Sequence, residues 1–553
     1  MKKVLPVQFR IWMKVRGNYL IDKNMKSFFS LRAATIFSSV LLVLTNSCTI
    51  SDSLTPPSTG TRIYITGDNG TMVTKTTLSG VQTSWMASSD KIGVYSPEAT
   101  TTSGGTDPVA NALFTANTSG TSSDFTGTMY WGTADTHRFY SYYPYTSGTA
   151  ARTVVPISLP AAQTQSAGNN SGHIGALDFL VATPVTQAKS TGAANITFLF
   201  NHVFTILEFQ IIRSSGTGDI SEITITGPNK LAFSTAGSID ITQPTPGTGS
   251  AYTISYPTSV PTGISNEVTV TLTNAVTPTS NYSTTPKIYA VVLPKTGDGY
   301  INIAIKSGST YKYVQKAAPS GGFDRNKKYI VQIDAASATD YPGSTATPVT
   351  VVSATWAPVN CGYDPNHVYG LLYQWNRKYG QVYNEASPAY TLVSGPVTET
   401  TGNDAANCNI FYTTSSSSTN WSSSTIPTNW NLTTNNPCPK GWRVPTDNEM
   451  VALMALTKTV GNIGVGNGTT FSSGSLQVFM PYFGERNYAG SSYPWPYQHG
   501  DYWTGLKKTG AKSHCFDIYA NSAVQVPNED ASVTDRTEDD PCVYGLSIRC
   551  VKM

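Results

Sequence analysis

The residues with the most chemistry to offer in this 553-residue chain are its seven cysteines, and they are unevenly spaced. Cys48 stands alone near the start. After a long gap come Cys361, Cys408, Cys438, Cys515, Cys542 and Cys550. Cysteine can be acylated, oxidised to a disulfide, bound to a metal or ionised to a nucleophile. In an exported chain an even number grouped in the last third points to disulfides. Six cysteines allow 15 pairings, and spacing alone selects none of them. Zinc is the weaker reading, because no pair has Cys-x-x-Cys spacing and the six histidines are scattered. A redox-active pair at Cys542 and Cys550 would need a reactive thiolate in an electropositive setting. Glu538, Asp539 and Asp540 just before them would raise a thiol pKa and disfavour the thiolate. Asn528, Glu529, Asp530 and Asp535, together with those three acids, offer oxygen ligands of the kind calcium takes, although a solvated acidic loop is the plainer reading. Tyr488, Tyr493, Trp495, Tyr497 and Tyr502 form an aromatic group able to stack on sugar rings. Pro494 and Pro496 mark the segment around Trp495 as a loop. No nucleophile–base pair or phosphate loop is present, and His202 reads as a core or sheet-edge residue. The expectation is therefore no catalytic residue, no cofactor and no metal.

Near the start, Lys26 and Arg32 precede an apolar stretch that ends at Thr45, Asn46, Ser47 and Cys48. The stretch is too short to span a bilayer. The pattern resembles a bacterial lipoprotein signal, in which the cysteine becomes the acylated first residue of the mature chain. That implies an outer-membrane anchor at Cys48. Met1 to Asn24 follows no export logic, so Met25 is the expected true start. Residues 1–47 are set aside as a signal region, and 48–61 as a lipidated tail.

What remains is long enough for several domains. Charged residues make up only 12% of the chain, and short apolar runs are separated by Ser, Thr, Gly, Pro and Asn. This is the composition of an extracellular β-protein. A net charge of +3 argues against a nucleic-acid surface. Turn signals bound short strands at 91–95, 125–131, 138–145, 196–200, 203–211, 222–226, 267–272, 287–293 and 329–333. Ile196, Phe198 and Phe200 share one face. From Val203 onward the apolar residues move to odd positions, so a bulge or a change of sheet is expected near Asn201 and His202.

Several pieces occur in a familiar order. Trp85 is followed by Asp90-Lys91-Ile92-Gly93-Val94-Tyr95, Phe125-Thr126-Gly127 and Trp131. Then come Phe139-Tyr140-Ser141-Tyr142-Tyr143-Pro144-Tyr145, Leu159-Pro160 with Gln163, Asp178 to Ala182, and Phe198 to Phe204. Over roughly residues 62–335 this resembles the fimbrillin family of Bacteroidetes surface pili. The resemblance implies two transthyretin-like antiparallel β-sandwich domains, at 62–189 and 190–335.

Residues 336–353 read as a linker to a different domain at 354–553. There Thr446 and Glu449 form a capping box for a helix with Met450, Leu453 and Met454 on one face, ended by Gly461. Trp356 to Asn360, Gly370 to Trp375, Cys438-Pro439 to Pro445-Thr446, Tyr502-Trp503 and Arg549-Cys550-Val551 resemble the Fibrobacter succinogenes major paralogous domain. That implies an α+β, C-type lectin-like fold and makes Cys438 and Cys550 a disulfide pair. The whole chain is thus expected to be mainly β.

Together these resemblances imply a surface fimbrial tip or accessory subunit, an adhesin whose partners are other fimbrillin subunits and a host or bacterial surface glycan or protein. Fimbrillins polymerise when a neighbour's strand fills a groove opened by proteolysis. Arg62-Ile63-Tyr64-Ile65-Thr66 is the strand to be removed, and Arg62 and Lys75 are the candidate cut sites. Lys75 is favoured because it follows the strand. The alternative is a glycan-binding surface lipoprotein that does not polymerise.

Overall fold

The computed structural model describes residues 61–553 except 70–72, 75–83, 150, 191–193, 217, 228–229, 243–253, 256–263, 295–298, 320–321, 383–390, 404–406, 433, 463–465, 492–498, 509 and 520–537. Cys48, Met25, Lys75, Tyr493, Trp495, Tyr497 and the acidic run from Asn528 to Asp535 lie outside these residues. Among the described residues, no helix is long and apolar enough to cross a membrane.

The first eleven strands are β1 (Ile63–Asn69), β2 (Val73–Thr74), β3 (Lys91–Thr100), β4 (Pro108–Ala116), β5 (Ser122–Thr126), β6 (Thr136–Tyr143), β7 (Val155–Leu159), β8 (Ala162–Gln165), β9 (Leu180–Ala182), β10 (Val185–Ala188) and β11 (Ala194–His202). Eight of them form one sheet in the order β10-β6-β3-β4-β5-β1-β11-β9, and β9 also pairs with β6, so the sheet curls back on itself. Its interior holds Ile63, Ile65, Trp85, Phe125, Trp131, Phe139, Phe198 and Phe200.

Ten strands follow: β12 (Thr205–Ile212), β13 (Ile220–Thr226), β14 (Ala232–Ile239), β15 (Ile254–Ser255), β16 (Ile264–Ser265), β17 (Glu267–Val276), β18 (Lys287–Val292), β19 (Tyr300–Ser307), β20 (Thr310–Ala317) and β21 (Lys327–Asp334). They build sheets ordered β18-β12-β21-β2 and β20-β19-β13-β17-β8, with β7, β15 and β16 flanking β14. Leu207, Phe209, Ile223, Val268 and Ile303 belong to the core these strands share.

The structure departs from the sequence reading in several places. The chain passes between sheets after His202, where the apolar phase changes, rather than near residue 190. In addition, β7 and β8 reach forward into the second set of sheets. Nor is the pairing purely antiparallel: β1–β11, β12–β21 and β8–β17 are parallel. β12 is buried at every position, not only at the odd ones. Its even face packs into a further core with Ile157, Phe204 and Tyr289. The Glu208 carboxylate there is paired with the buried Lys328 ammonium.

The remaining strands are β22 (Val349–Val351), β23 (Ala354–Trp356), β24 (Tyr373–Gln374), β25 (Thr391–Ser394), β26 (Ile410–Thr413), β27 (Trp442–Arg443), β28 (Thr457–Asn462), β29 (Asn467–Ser473), β30 (Leu476–Pro481), β31 (His499–Lys507), β32 (Lys512–Tyr519), β33 (Glu538–Pro541), β34 (Gly545–Leu546) and β35 (Val551–Lys552). Among the described residues the α-helices are α1 (Gly172–Leu177), α2 (Glu399–Gly402) and α3 (Asp447–Met454). Trp375, Trp421, Trp430, Trp442 and Trp503 are buried together.

α3 begins with the expected capping box and buries Met450, Leu453 and Met454. It ends at Met454, well short of Gly461, because β28 takes over and pairs with β29. Glu449 closes the box and also binds Arg443 at 2.6 Å. Thr446→Ala should therefore cost about 1 kcal/mol, read as a lower denaturation midpoint at unchanged slope. An unchanged midpoint would count against the cap.

The expected linker is not free chain. Tyr341 is buried and meets Trp442 edge-on, with ring centroids 5.1 Å apart. Tyr313 of β20 donates a hydrogen bond to the Lys440 carbonyl. The second and third regions are thereby joined through a continuous apolar core.

Candidate functional site

β1 is the feature that could do mechanical work. It lies between β5 and β11 and pairs with both. Ile63 and Ile65 point inward, and Tyr64 points outward with half its surface exposed. Gly67 takes the third inward position for a steric reason. A Cβ there would sit 2.8 Å from Phe125 Cε2 and 3.0 Å from Phe200 Cε2. The Trp85 indole N–H donates to the Gly67 carbonyl at 3.0 Å. The Trp85 ring meets Phe125 and Phe200 edge-on at centroid distances of 5.0 and 5.2 Å. If β1 left, the slot would expose an aromatic floor and an unpaired buried indole donor.

The strand is also tied at its start. Arg62 Nη2 donates to the Gly127 carbonyl at 2.7 Å, and the Trp131 amide donates to the Thr61 carbonyl at 2.9 Å. An open cleft of about 540 Å³ runs beside this end, lined by Arg62, Tyr64, Asp124, Thr126 and Asn195 among others. Beyond β1, β2 adds to the edge of β21 in the second set of sheets. One N-terminal stretch therefore supplies a strand to each of two regions. Lys75 is next in sequence after β2.

The cysteines separate into two groups. Cys438 and Cys550 form a disulfide spanning 112 residues. Cys361, Cys408, Cys515 and Cys542 form no disulfide, so two of the six candidates are bridged and four are not. Cys361 lies beside the bridge, its sulfur within 4.8 Å of both bridged sulfurs. Burial pushes its thiol up to about 11. Burial likewise pushes Cys542 up to about 12, opposed by the Ser513 hydroxyl. Asp540 is only a minor contributor there, so the sequence argument had the direction right and the main cause wrong. Cys542 is not paired with Cys550, and neither sulfur is a reactive thiolate.

The aromatic platform is also revised. Tyr502 is fully buried, its hydroxyl donating to the Pro481 carbonyl at 2.7 Å. Tyr488 is half-buried and stacks on Tyr544 at 6.4 Å. His202 is buried and bonded through Nδ1 to Asp178 at 2.8 Å. Of the aromatic group, Tyr488 is the described member with solvent-accessible surface.

The fimbrillin-like family profile matches residues 71–356, more than half of the chain. The chain belongs to the fimbrillin-like family. A fimbrial or adhesive role at the cell surface follows from that membership. No curated protein matches this fimbrillin-like chain. It is similar to a candidate cell adhesion protein of Bacteroides uniformis, at 18% identity and a TM-score of 0.34, covering 50% of this chain and 93% of that one. A candidate cell adhesion protein of Bacteroides ovatus shares 15% identity, with a TM-score of 0.32 and coverage of 51% and 95%. A fimbrial assembly protein of Parabacteroides distasonis shares 10% identity, with a TM-score of 0.26 and coverage of 49% and 90%.

Proposed function

We propose that this fimbrillin-like chain is a tip or accessory subunit of a surface filament, exported as a lipoprotein acylated at Cys48. Cleavage after Lys75 would release β1 and β2 together. A partner subunit's strand would then fill the vacated slot. The C-terminal region would carry adhesion through a lectin-like fold, with Tyr488, Tyr493, Trp495 and Tyr497 offered to a glycan or protein surface. One observation supports the terminal position. β35 is paired on both sides, with β23 and β27, and Met553 bonds back to the Gly441 carbonyl. β35 is thus committed inside its own sheet and is not offered as a donor strand.

Immunogold labelling of filaments with antibody against residues 354–553 tests the reading. Label confined to filament ends or branch points supports it. Label along the whole shaft would make the chain a stalk subunit. Label on the cell surface alone would favour a lipoprotein that never polymerises.

The slot geometry adds a prediction. Gly67→Val should overpack β1 against Phe125 and Phe200 and destabilise the uncut chain by about 1–3 kcal/mol. Once β1 has gone, the same variant should assemble as wild type does. Equal thermal melting of the two uncut chains would count against this packing.

A further inference from the structure

The bridge between Cys438 and Cys550 has a third sulfur for a neighbour. The sulfurs of Cys361, Cys438 and Cys550 all lie within 4.8 Å of one another. The Cys361 backbone is fixed on two sides. Its amide donates to the Ile548 carbonyl at 2.8 Å, and its carbonyl accepts from the Leu371 amide at 3.0 Å. Its side chain is turned to the bridge: the thiol donates to the carbonyl of Pro437, the residue before Cys438, at 3.2 Å. Two tyrosine hydroxyls reach the same sulfurs. Tyr373 donates to Cys361 Sγ at 3.3 Å, and Tyr341 donates to Cys550 Sγ at 3.4 Å. All five residues are buried. An external thiol has no ready access to this bridge, whereas Cys361 already stands beside it.

We propose that Cys361 exchanges with the bridge, joining Cys438 and displacing Cys550, so that the chain carries two interchangeable disulfides. The Cys361 thiolate attacks Cys438 Sγ. A new sulfur–sulfur bond forms as the bond from Cys438 to Cys550 breaks, and Cys550 leaves as a thiolate. One bridge replaces another, so nothing is oxidised or reduced overall. The proton that Cys361 gives up is matched by the one that Cys550 takes. The tyrosines serve the two ends of the step, because a hydroxyl donor stabilises negative sulfur. Tyr373 does so at the attacking atom and Tyr341 at the leaving one. The sulfurs need to close by no more than about 3 Å to reach bonding distance, a shift that a side-chain rotation covers. Burial pushes the Cys361 thiol up to about 11, so little thiolate is present near neutral pH. Fixed proximity offsets that scarcity, since the attack is intramolecular. The consequence falls on β35. Exchange leaves its pairing with β23 and β27 in place but removes its covalent tie to Cys438.

The test is disulfide mapping of the full chain. The wild type is incubated without reductant at mildly alkaline pH, quenched in acid, labelled with N-ethylmaleimide in acidic denaturant and digested with pepsin. A peptide joining Cys361 to Cys438 should appear beside the one joining Cys438 to Cys550, with a matching fraction of label on Cys550. Cys361→Ser should lose that peptide and that label altogether. Cys550→Ser, folded with glutathione disulfide as oxidant, should join Cys361 to Cys438 in most chains, and circular dichroism establishes that it is folded. A wild type that shows the bridge between Cys438 and Cys550 alone would overturn the proposal, whether or not the variant folds. So would a folded Cys550→Ser chain with label on both Cys361 and Cys438.

Discussion

Lys75→Ala is expected to yield a folded, exported chain that fails to enter filaments, with incorporation reduced at least about 100-fold. The reason is competition between an internal strand and an external one. β1 reaches its slot without any association cost, whereas a partner's strand loses several kcal/mol of translational and rotational freedom on binding. Each 1.4 kcal/mol is a tenfold preference, so an uncut chain keeps β1 in place. The internal strand also satisfies the buried Trp85 indole and fills the space above Phe125 and Phe200. A cut after Arg62 would not help, because β1 begins at Ile63 and would stay in its slot. Arg62→Ala should therefore assemble normally. Wild-type levels of Lys75→Ala in filaments would contradict the proposed cut site.

The second large effect concerns the single bridge. Cys438→Ser combined with Cys550→Ser should cost about 2–5 kcal/mol, because the bridge closes a long loop in the unfolded chain. Cys550 directly precedes β35, and Cys438 precedes β27; the bridge thus ties together strands that share a sheet. Loss should appear as earlier melting and as faster proteolysis within residues 354–553, while residues 84–149 keep their resistance. Reductant should reproduce the effect in the wild type. A melting curve unchanged by both treatments would refute it.

How much of this was legible beforehand depended on how local the signal was. Alternation at Ile196, Phe198 and Phe200 marked a half-buried strand, and the phase change after Asn201 marked the passage between sheets. The Thr446–Glu449 capping box was readable because its members are three residues apart. The even face of β12 was not readable. Glu208 and Gln210 look solvent-facing in sequence, and the lysine paired with Glu208 lies 120 residues downstream. The supposed linker was missed for the same reason, since Tyr341 packs on Trp442 and bonds to Cys550. At the candidate site, the isoleucines of β1 announced a strand by their spacing. That Gly67 must be small, and that Trp85 bonds to its carbonyl, depends on side chains from strands far apart in the chain. The third sulfur beside the bridge escaped notice because Cys361, Cys438 and Cys550 come from three separate segments.

The central claim is that β1 leaves and another chain's strand takes its place. N-terminal sequencing and intact-mass analysis of this subunit from purified filaments test it most directly. A chain beginning at Thr76 is the predicted result. Residues 63–74 still attached to the assembled subunit would contradict it.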